Sequence, residues 1–280
     1  MATRFHKYHA LGNDYIVLNP SEVAGEVDAF HVQRICHRNF GVGSDGILLG
    51  PLETKGGDFG LRIFNPDGSE AEKSGNGLRI FSRYLWDQDL VEEKAFTVMT
   101  SGGRVESVVK DRGRTVTVQM GQASFDSIRI PVKGEPRDVL NETMTVAGKE
   151  LRFCAATVGN PHCVVLREDI SEEEARTLGP LIEKDPRFPN RTNVQFMKVL
   201  DRSRIQLEIW ERGAGYTLAS GSSSSAAAAV AYRLGLCGGQ ITVCMPGGEL
   251  DIRISEDFSI QMTGPVTKIA EGTLSPEMFE

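Results

Sequence analysis

The stretch that decides the fold is LASGSSSSAAAAVAYRLG, residues 218–235. A serine and a glycine lead straight into a run of small residues with no polar face. Serine is a favoured helix N-cap, and a helix that is apolar all round must be buried. The segment therefore predicts a central helix enclosed by other elements. A second stretch, EKSGNGLRIF at 72–81, has the same design: Ser-Gly, a small polar turn, then a helical pattern. There Leu78, Phe81, Leu85 and Leu90 form an apolar stripe that Ile80 and Tyr84 widen.

The two stretches belong to a longer repeat. The Ser-Gly pairs are offset by 146 residues (74 to 220), and TVMTSGGRV and TVCMPGGEL by 145 (97 to 242). GNDYIVL and GNPHCVVL are offset by 147 (12 to 159), and VQM and IQM by 142 (118 to 260). Four matches in one order at nearly one offset mean an internal duplication. Each copy opens on a strand, reaches a Gly/Ser turn and a helix, and closes on alternating strands around a Gly-Gly turn. The expected fold is α/β, two pseudo-symmetric halves, each a mixed sheet or barrel wrapped around a central helix. The halves are expected at 1–120 and 121–265, with 266–280 adding a strand to the first. A cleft between two related halves is a frequent ligand location.

The bulk numbers agree. A chain of 280 residues with 40% hydrophobic and 25% charged residues suits a two-domain globular protein. A net charge of −7 argues against nucleic acid or an anionic membrane as partner. The opening MATRFHKYHALGN lacks the apolar core of a secretory signal, and AAAAVAY at 226–232 is too short to span a bilayer, so a cytoplasmic location is expected. The five cysteines form no C-x-x-C pair, which points to reduced, buried thiols rather than disulfides or a metal site. GVGSDG at 41–46 matches a dinucleotide pattern, but ILLGPL follows it where a helix is required. No pattern demands pyridoxal phosphate, a nucleotide or a metal, so no cofactor is expected.

A helix N-terminus offers unpaired N–H groups and a partial positive charge, which suits an anion. Ser74-Gly75-Asn76-Gly77 and Ser220-Gly221-Ser222-Ser223 both have this form. Capping explains either alone. Two matched turns in a duplicated fold favour a bound carboxylate.

At these residues the chain resembles the diaminopimelate epimerases, cofactor-independent amino-acid racemases and epimerases. The resemblance spans nearly the whole chain and rests on HALGNDYIVL (9–18), FNPDGSEAEKSGNG (64–77), VGNPHCVV (158–165), RTNVQFM (191–197) and ERGAGYTLASG (211–221). It implies two-base proton transfer at Cα of LL- or meso-diaminopimelate, a step of lysine and cell-wall biosynthesis. The family's two catalytic cysteines fall at Ser74 and Ser220. By resemblance, His162 and Glu211 tune that pair. Asn13, Asn65, Asn160 and Asn193 bind substrate, Asn65, Asn193 and Arg212 hold its distal end, and Gly75, Asn76, Gly221 and Ser222 give N–H groups to the reacting carboxylate. The implied partner is a small zwitterionic amino acid, with no nucleic acid and no membrane; a homodimer stays open.

The chain departs from the family where it matters most. A hydroxyl lacks the accessible pKa of a thiol, and a helix dipole worth about 0.3–1 kcal/mol does not close that gap. An impaired epimerase is therefore expected. Gly46 stands where the family suggests glutamine, Tyr216 where it suggests glutamate, and a run of serines follows Gly221. Either both cysteines were replaced to trap a ligand-bound state, or the chain is a natural branch with different chemistry; five cysteines elsewhere exclude a blanket replacement, and the added departures favour the branch. Two other readings stand beside the epimerase: a one-base lyase or isomerase using Glu211, Glu72 or His162, and a non-catalytic amino-acid binding protein.

Overall fold

The computed structural model describes residues 3–280. The chain divides into one unit of residues 1–118 and 263–280 and another of residues 119–262. The first unit begins with β1 (Arg4–Ala10) and β2 (Asn13–Leu18), an antiparallel hairpin. Helix α1 (Ala29–Cys36) then carries the chain to β3 (Ile47–Leu52), which lies parallel to β2. Next come β4 (Phe59–Phe64), the short β5 (Glu70–Ala71) and helix α2 (Gly75–Asp87). After α2 the chain returns as β6 (Phe96–Thr100), parallel to β4, and runs on antiparallel through β7 (Gly103–Lys110) and β8 (Thr115–Gln122).

The second unit repeats this plan. It contains β9 (Glu142–Val146), β10 (Lys149–Thr157), β11 (Pro161–Leu166), α3 (Glu172–Glu183), β12 (Asn193–Asp201) and β13 (Arg204–Glu211). It continues with β14 (Gly215–Thr217), α4 (Gly221–Arg233), β15 (Gln240–Met245), β16 (Gly248–Ile254) and the first part of β17 (Ser259–Pro265). Its parallel pairs are β11 with β12 and β13 with β15, the counterparts of β2–β3 and β4–β6. The last strand, β18 (Thr267–Thr273), pairs antiparallel with β1, as β9 pairs with β10.

The mixed sheets and the enclosed helices follow from composition. Helix α2 packs on β1, β2, β3 and β7, with Leu78, Ile80, Phe81, Tyr84 and Leu85 fully buried. Helix α4 packs on six strands of its unit, and every residue from Ala226 to Ala231 is buried. Alanine side chains let strands approach on all sides, so this helix is a core rather than an amphipathic surface element. Two helices lie outside the repeat pattern read from the sequence. A parallel pair cannot be joined by a tight turn, and α1 and α3 are the crossovers that β2–β3 and β11–β12 require. Helix α3 has clear local signals: Ser171 accepts the Glu174 N–H, and three glutamates occupy its first turn. Helix α2 ends earlier than its stripe suggests. Asp89 adopts a left-handed φ of 55°, which leaves Leu90 outside the helix and 47% exposed. Among the described residues no helix is long and apolar enough to cross a membrane.

Candidate active site

In the first unit the site grows from the α2 N-terminus. Ser74 is the N-cap, with extended backbone, and its Oγ accepts the Gly77 N–H at 3.0 Å while its carbonyl accepts the Leu78 N–H at 2.8 Å. The N–H groups of Gly75 and Asn76 are the two that such a cap leaves without an intrahelical acceptor. Asn76 is buried and oriented from both sides: its Nδ2 donates to Asn13 Oδ1 at 3.0 Å, and its Oδ1 accepts from Arg79 Nη2 at 2.8 Å. Asn13 in turn donates to Asp45 Oδ2 at 2.8 Å, and Asp45 accepts from Arg38 at 2.7 Å. Arg38 and Lys7 also pair with Asp14, at 2.8 and 2.9 Å. This chain of partners fixes the asparagine amides at the helix end. Arg79 is fully buried, and burial pulls its guanidinium down to about 9. Lys73, beside the cap, is likewise lowered by burial. Asn65 lies apart from this chain. It closes its own turn, donating to Ser69 Oγ at 3.0 Å and to the Ser69 carbonyl at 2.8 Å. Glu72 is exposed.

In the second unit Ser220 caps α4, 4% exposed, and its Oγ accepts the Ser223 N–H at 3.4 Å. Gly221 and Ser222 supply the two uncapped N–H groups. The serine run has a structural explanation. Ser224 and Ser225 donate back to the carbonyls of Ser220 and Gly221 at 2.7 and 2.8 Å, the usual way a buried hydroxyl is satisfied within a helix. Ser223 Oγ accepts from Gln195 Nε2 at 3.0 Å, and the same amide nitrogen lies 3.1 Å from His162 Nδ1. His162 Nε2 is 2.9 Å from Asn160 Oδ1. Nδ1 is thus the acceptor and Nε2 carries the hydrogen. Burial, then the positive charge of Arg212, pull this histidine down to about 3, so it is neutral at working pH with both nitrogens engaged. Asn193 bridges two segments, donating to the Pro161 carbonyl at 2.9 Å and accepting the Arg212 N–H at 3.0 Å. The Arg212 side chain is exposed and donates to the Asn190 carbonyl at 3.0 Å. Among the described residues no carboxylate forms an ion pair with it. Glu211 accepts from Thr217 Oγ1 at 3.4 Å.

Two departures noted in the sequence have local causes. A Cβ on Gly46 would lie 2.4 Å from the Phe64 carbonyl oxygen and 2.6 Å from Tyr15 Cε1, so glutamine does not fit there. Tyr216 alternates with Thr217 along β14 and faces the other way. Its hydroxyl donates to Glu208 at 2.7 Å and its ring lies under Arg176 at 4.3 Å, beside α3. Position 216 therefore packs against the helix on the strand face opposite Glu211.

Glu183 carried no sequence signal, yet it holds the ERGAG turn. It is 2% exposed, accepts from Trp210 Nε1 at 2.8 Å and the Gly213 N–H at 3.0 Å, and pairs with Arg191. Burial alone would raise its pKa, but these donors outweigh it and hold the carboxyl below its ordinary 4.5. A group depressed in the folded state stabilises above its unfolded pKa and loses that contribution as pH falls through the folded value. Glu183→Ala is expected to cost about 3 kcal/mol at neutral pH, since it strands buried donors and a paired cation. The difference from the parent should shrink below pH ~4. Urea midpoints at neutral and acid pH check both.

Of the five cysteines, Cys36, Cys154, Cys163 and Cys237 are buried and Cys244 is half-buried; burial raises each thiol, and none caps a helix.

The duplicated α/β unit is a fold shared with solved amino-acid racemases and epimerases. A hydroxyproline epimerase from Agrobacterium vitis, solved with trans-4-hydroxy-L-proline, matches with a TM-score of 0.69 at 15% identity, covering 99% of this chain and 93% of that one. At that identity the likeness speaks for the fold. The sequence model of diaminopimelate epimerase matches residues 5–126 and 154–269. Diaminopimelate epimerase 2 of Nostoc sp. (strain PCC 7120) is 63% identical over 276 residues, covering 99% of this chain and 97% of the relative. Diaminopimelate epimerase of Moorella thermoacetica is 39% identical over 274 residues, covering 96% and 98%. The chain belongs to the diaminopimelate epimerase family.

Proposed function

We propose that this protein moves a proton at the α-carbon of a small zwitterionic amino acid of the diaminopimelate type, without pyridoxal phosphate, and does so more slowly than a thiol pair would. The observation that carries this is the matched pair of Ser-capped helix N-termini, one per unit at equivalent positions of the repeat. Each leaves two N–H groups for a carboxylate and presents one hydroxyl. Ser74 and Ser220 are the acid/base pair. Gly75, Asn76, Gly221 and Ser222 bind the reacting carboxylate. Asn13 and Asn160 orient polar neighbours. His162, neutral and bonded on both sides, positions rather than accepts a proton. Glu211 assists the pair. Arg212 takes the distal carboxylate, and Asn65 and Asn193 bind the same end of the substrate.

Arg212 favours this over a plain one-carboxylate amino acid, because an exposed guanidinium with no acidic partner among the described residues suits a second carboxylate. Solvent exchange of the α-hydrogen of LL-diaminopimelate in D₂O tests the reading. Deuterium at Cα supports it. No exchange, by this chain or by its Ser74→Cys, Ser220→Cys variant, contradicts it.

A further inference from the structure

The Tyr15 hydroxyl lies 3.3 Å from Ser74 Oγ. Tyr15 is 8% exposed, on β2, and its ring occupies the space that Gly46 leaves empty. Any side chain at 46 would displace that ring or the Phe64 backbone. The two residues are therefore one device: glycine at 46 admits the phenol that reaches the cap. The internal repeat adds a second observation. GNDY at 12–15 matches GNPH at 159–162, so Tyr15 stands in the first copy where His162 stands in the second. A histidine sits at that place in one unit and a phenol in the other, and only the phenol bonds directly to the capping hydroxyl of its unit.

A serine hydroxyl has one hydrogen to give and two lone pairs to accept with. At Ser74 one lone pair takes the Gly77 N–H at 3.0 Å. The contact with Tyr15 uses a second valence and leaves the third for a ligand at the helix end. The separation is long for two hydroxyls, whose usual distance is about 2.7–2.8 Å. Catalytic hydrogen bonds commonly tighten only when substrate is bound.

We propose that Tyr15 is the proton-relay partner of Ser74, working through the Ser74 hydroxyl and not on the substrate directly. This rests on the functional reading above. In the returning direction the Tyr15 O–H gives its proton to Ser74 Oγ as the Ser74 O–H gives its own to the α-carbanion. One C–H bond forms from the carbanion electron pair, the Ser74 hydroxyl is restored, and the phenolate left behind is reprotonated by solvent. Abstraction is the reverse: the Cα proton passes to Ser74 Oγ and the Ser74 proton to the Tyr15 phenolate. A phenol ionises ordinarily near ~10, far more readily than an aliphatic hydroxyl, so the relay gives the serine an acid/base reservoir that it lacks alone.

The test is Tyr15→Phe, which keeps the ring, measured in two backgrounds: Ser74 as found, and Ser74→Cys. Diaminopimelate α-hydrogen exchange is followed in D₂O, with kcat and KM separated and the fold checked by circular dichroism. With Ser74 in place, Tyr15→Phe is expected to lower kcat by about 50-fold or more, within the range of general acid–base effects. KM should move by less than about twofold. In the Ser74→Cys background the loss should be at least about tenfold smaller, because a thiol needs no relay. Equal losses in both backgrounds, a loss confined to KM, or no loss with Ser74 in place would each overturn the relay. Any of these results from a parent that exchanges overturns the relay alone and leaves the functional reading standing. If the parent does not exchange, the functional reading itself has failed and the relay with it.

Discussion

Replacing both capping serines by cysteine, Ser74→Cys with Ser220→Cys, is expected to raise diaminopimelate epimerisation at neutral pH by about 100-fold or more. Positioned acid/base groups contribute about 10²–10⁴, and the contribution depends on a pKa near the working pH. A thiol starts near ~8.5, and a helix N-terminus lowers it further. Both caps provide that environment. Ser74 stands at the start of α2 with the Gly77 N–H on its side chain, and Ser220 at the start of α4 with the Ser223 N–H. Cysteine is close to serine in size, so the caps should persist with little change in stability. Chiral separation of the LL and meso forms over time measures the rate. An unchanged rate would mean that the hydroxyls do not limit the chemistry.

The second large effect concerns Arg212. Its guanidinium is exposed, donates to one carbonyl at 3.0 Å and has no acidic partner among the described residues. Its backbone is fixed by Asn193, and the next residue, Gly213, by Glu183. A charge held this way is poised for a carboxylate, and a charge-assisted bond contributes about 1.5–3 kcal/mol. Arg212→Gln should therefore weaken diaminopimelate binding by about 10–100-fold. Lysine, which lacks the distal carboxylate, should change by less than about threefold. Calorimetric titration of both ligands against both proteins decides it. An equal loss for the two would mean that Arg212 serves the turn and not the ligand.

The parts of this molecule that announce themselves in the sequence are local. Ser-Gly followed by a helical pattern marks both caps, because the N-cap bond joins residues three apart. The small apolar run at 226–231 marks a buried helix, because it has no polar side chain to face water. The repeat follows from comparing the chain with itself. What stays hidden depends on contacts distant in the chain. The crossovers α1 and α3 are demanded by parallel pairing, which no short stretch displays. The end of α2 at Asp87 is set by one left-handed residue that is not glycine, Asp89. Gly46 reads as a lost glutamine until the Tyr15 ring, 31 positions earlier, is seen to fill its space. Tyr216 reads as a site substitution until the alternation of β14 turns it onto Glu208 and Arg176. The serine run reads as polar, yet its inner hydroxyls bond to carbonyls one turn back. Glu183 is one acidic residue among 38 until Trp210, Gly213 and Arg191 converge on it.

The serine-capped pair of helix ends is expected still to work on an α-hydrogen. The most direct measurement is the incorporation of solvent deuterium at Cα of LL-diaminopimelate by the protein as it stands, followed by proton NMR. Slow, enzyme-dependent loss of the α-hydrogen signal is expected, with meso product appearing. An α-hydrogen that persists unchanged in the presence of bound diaminopimelate would contradict it and leave an amino-acid binding protein in an epimerase fold.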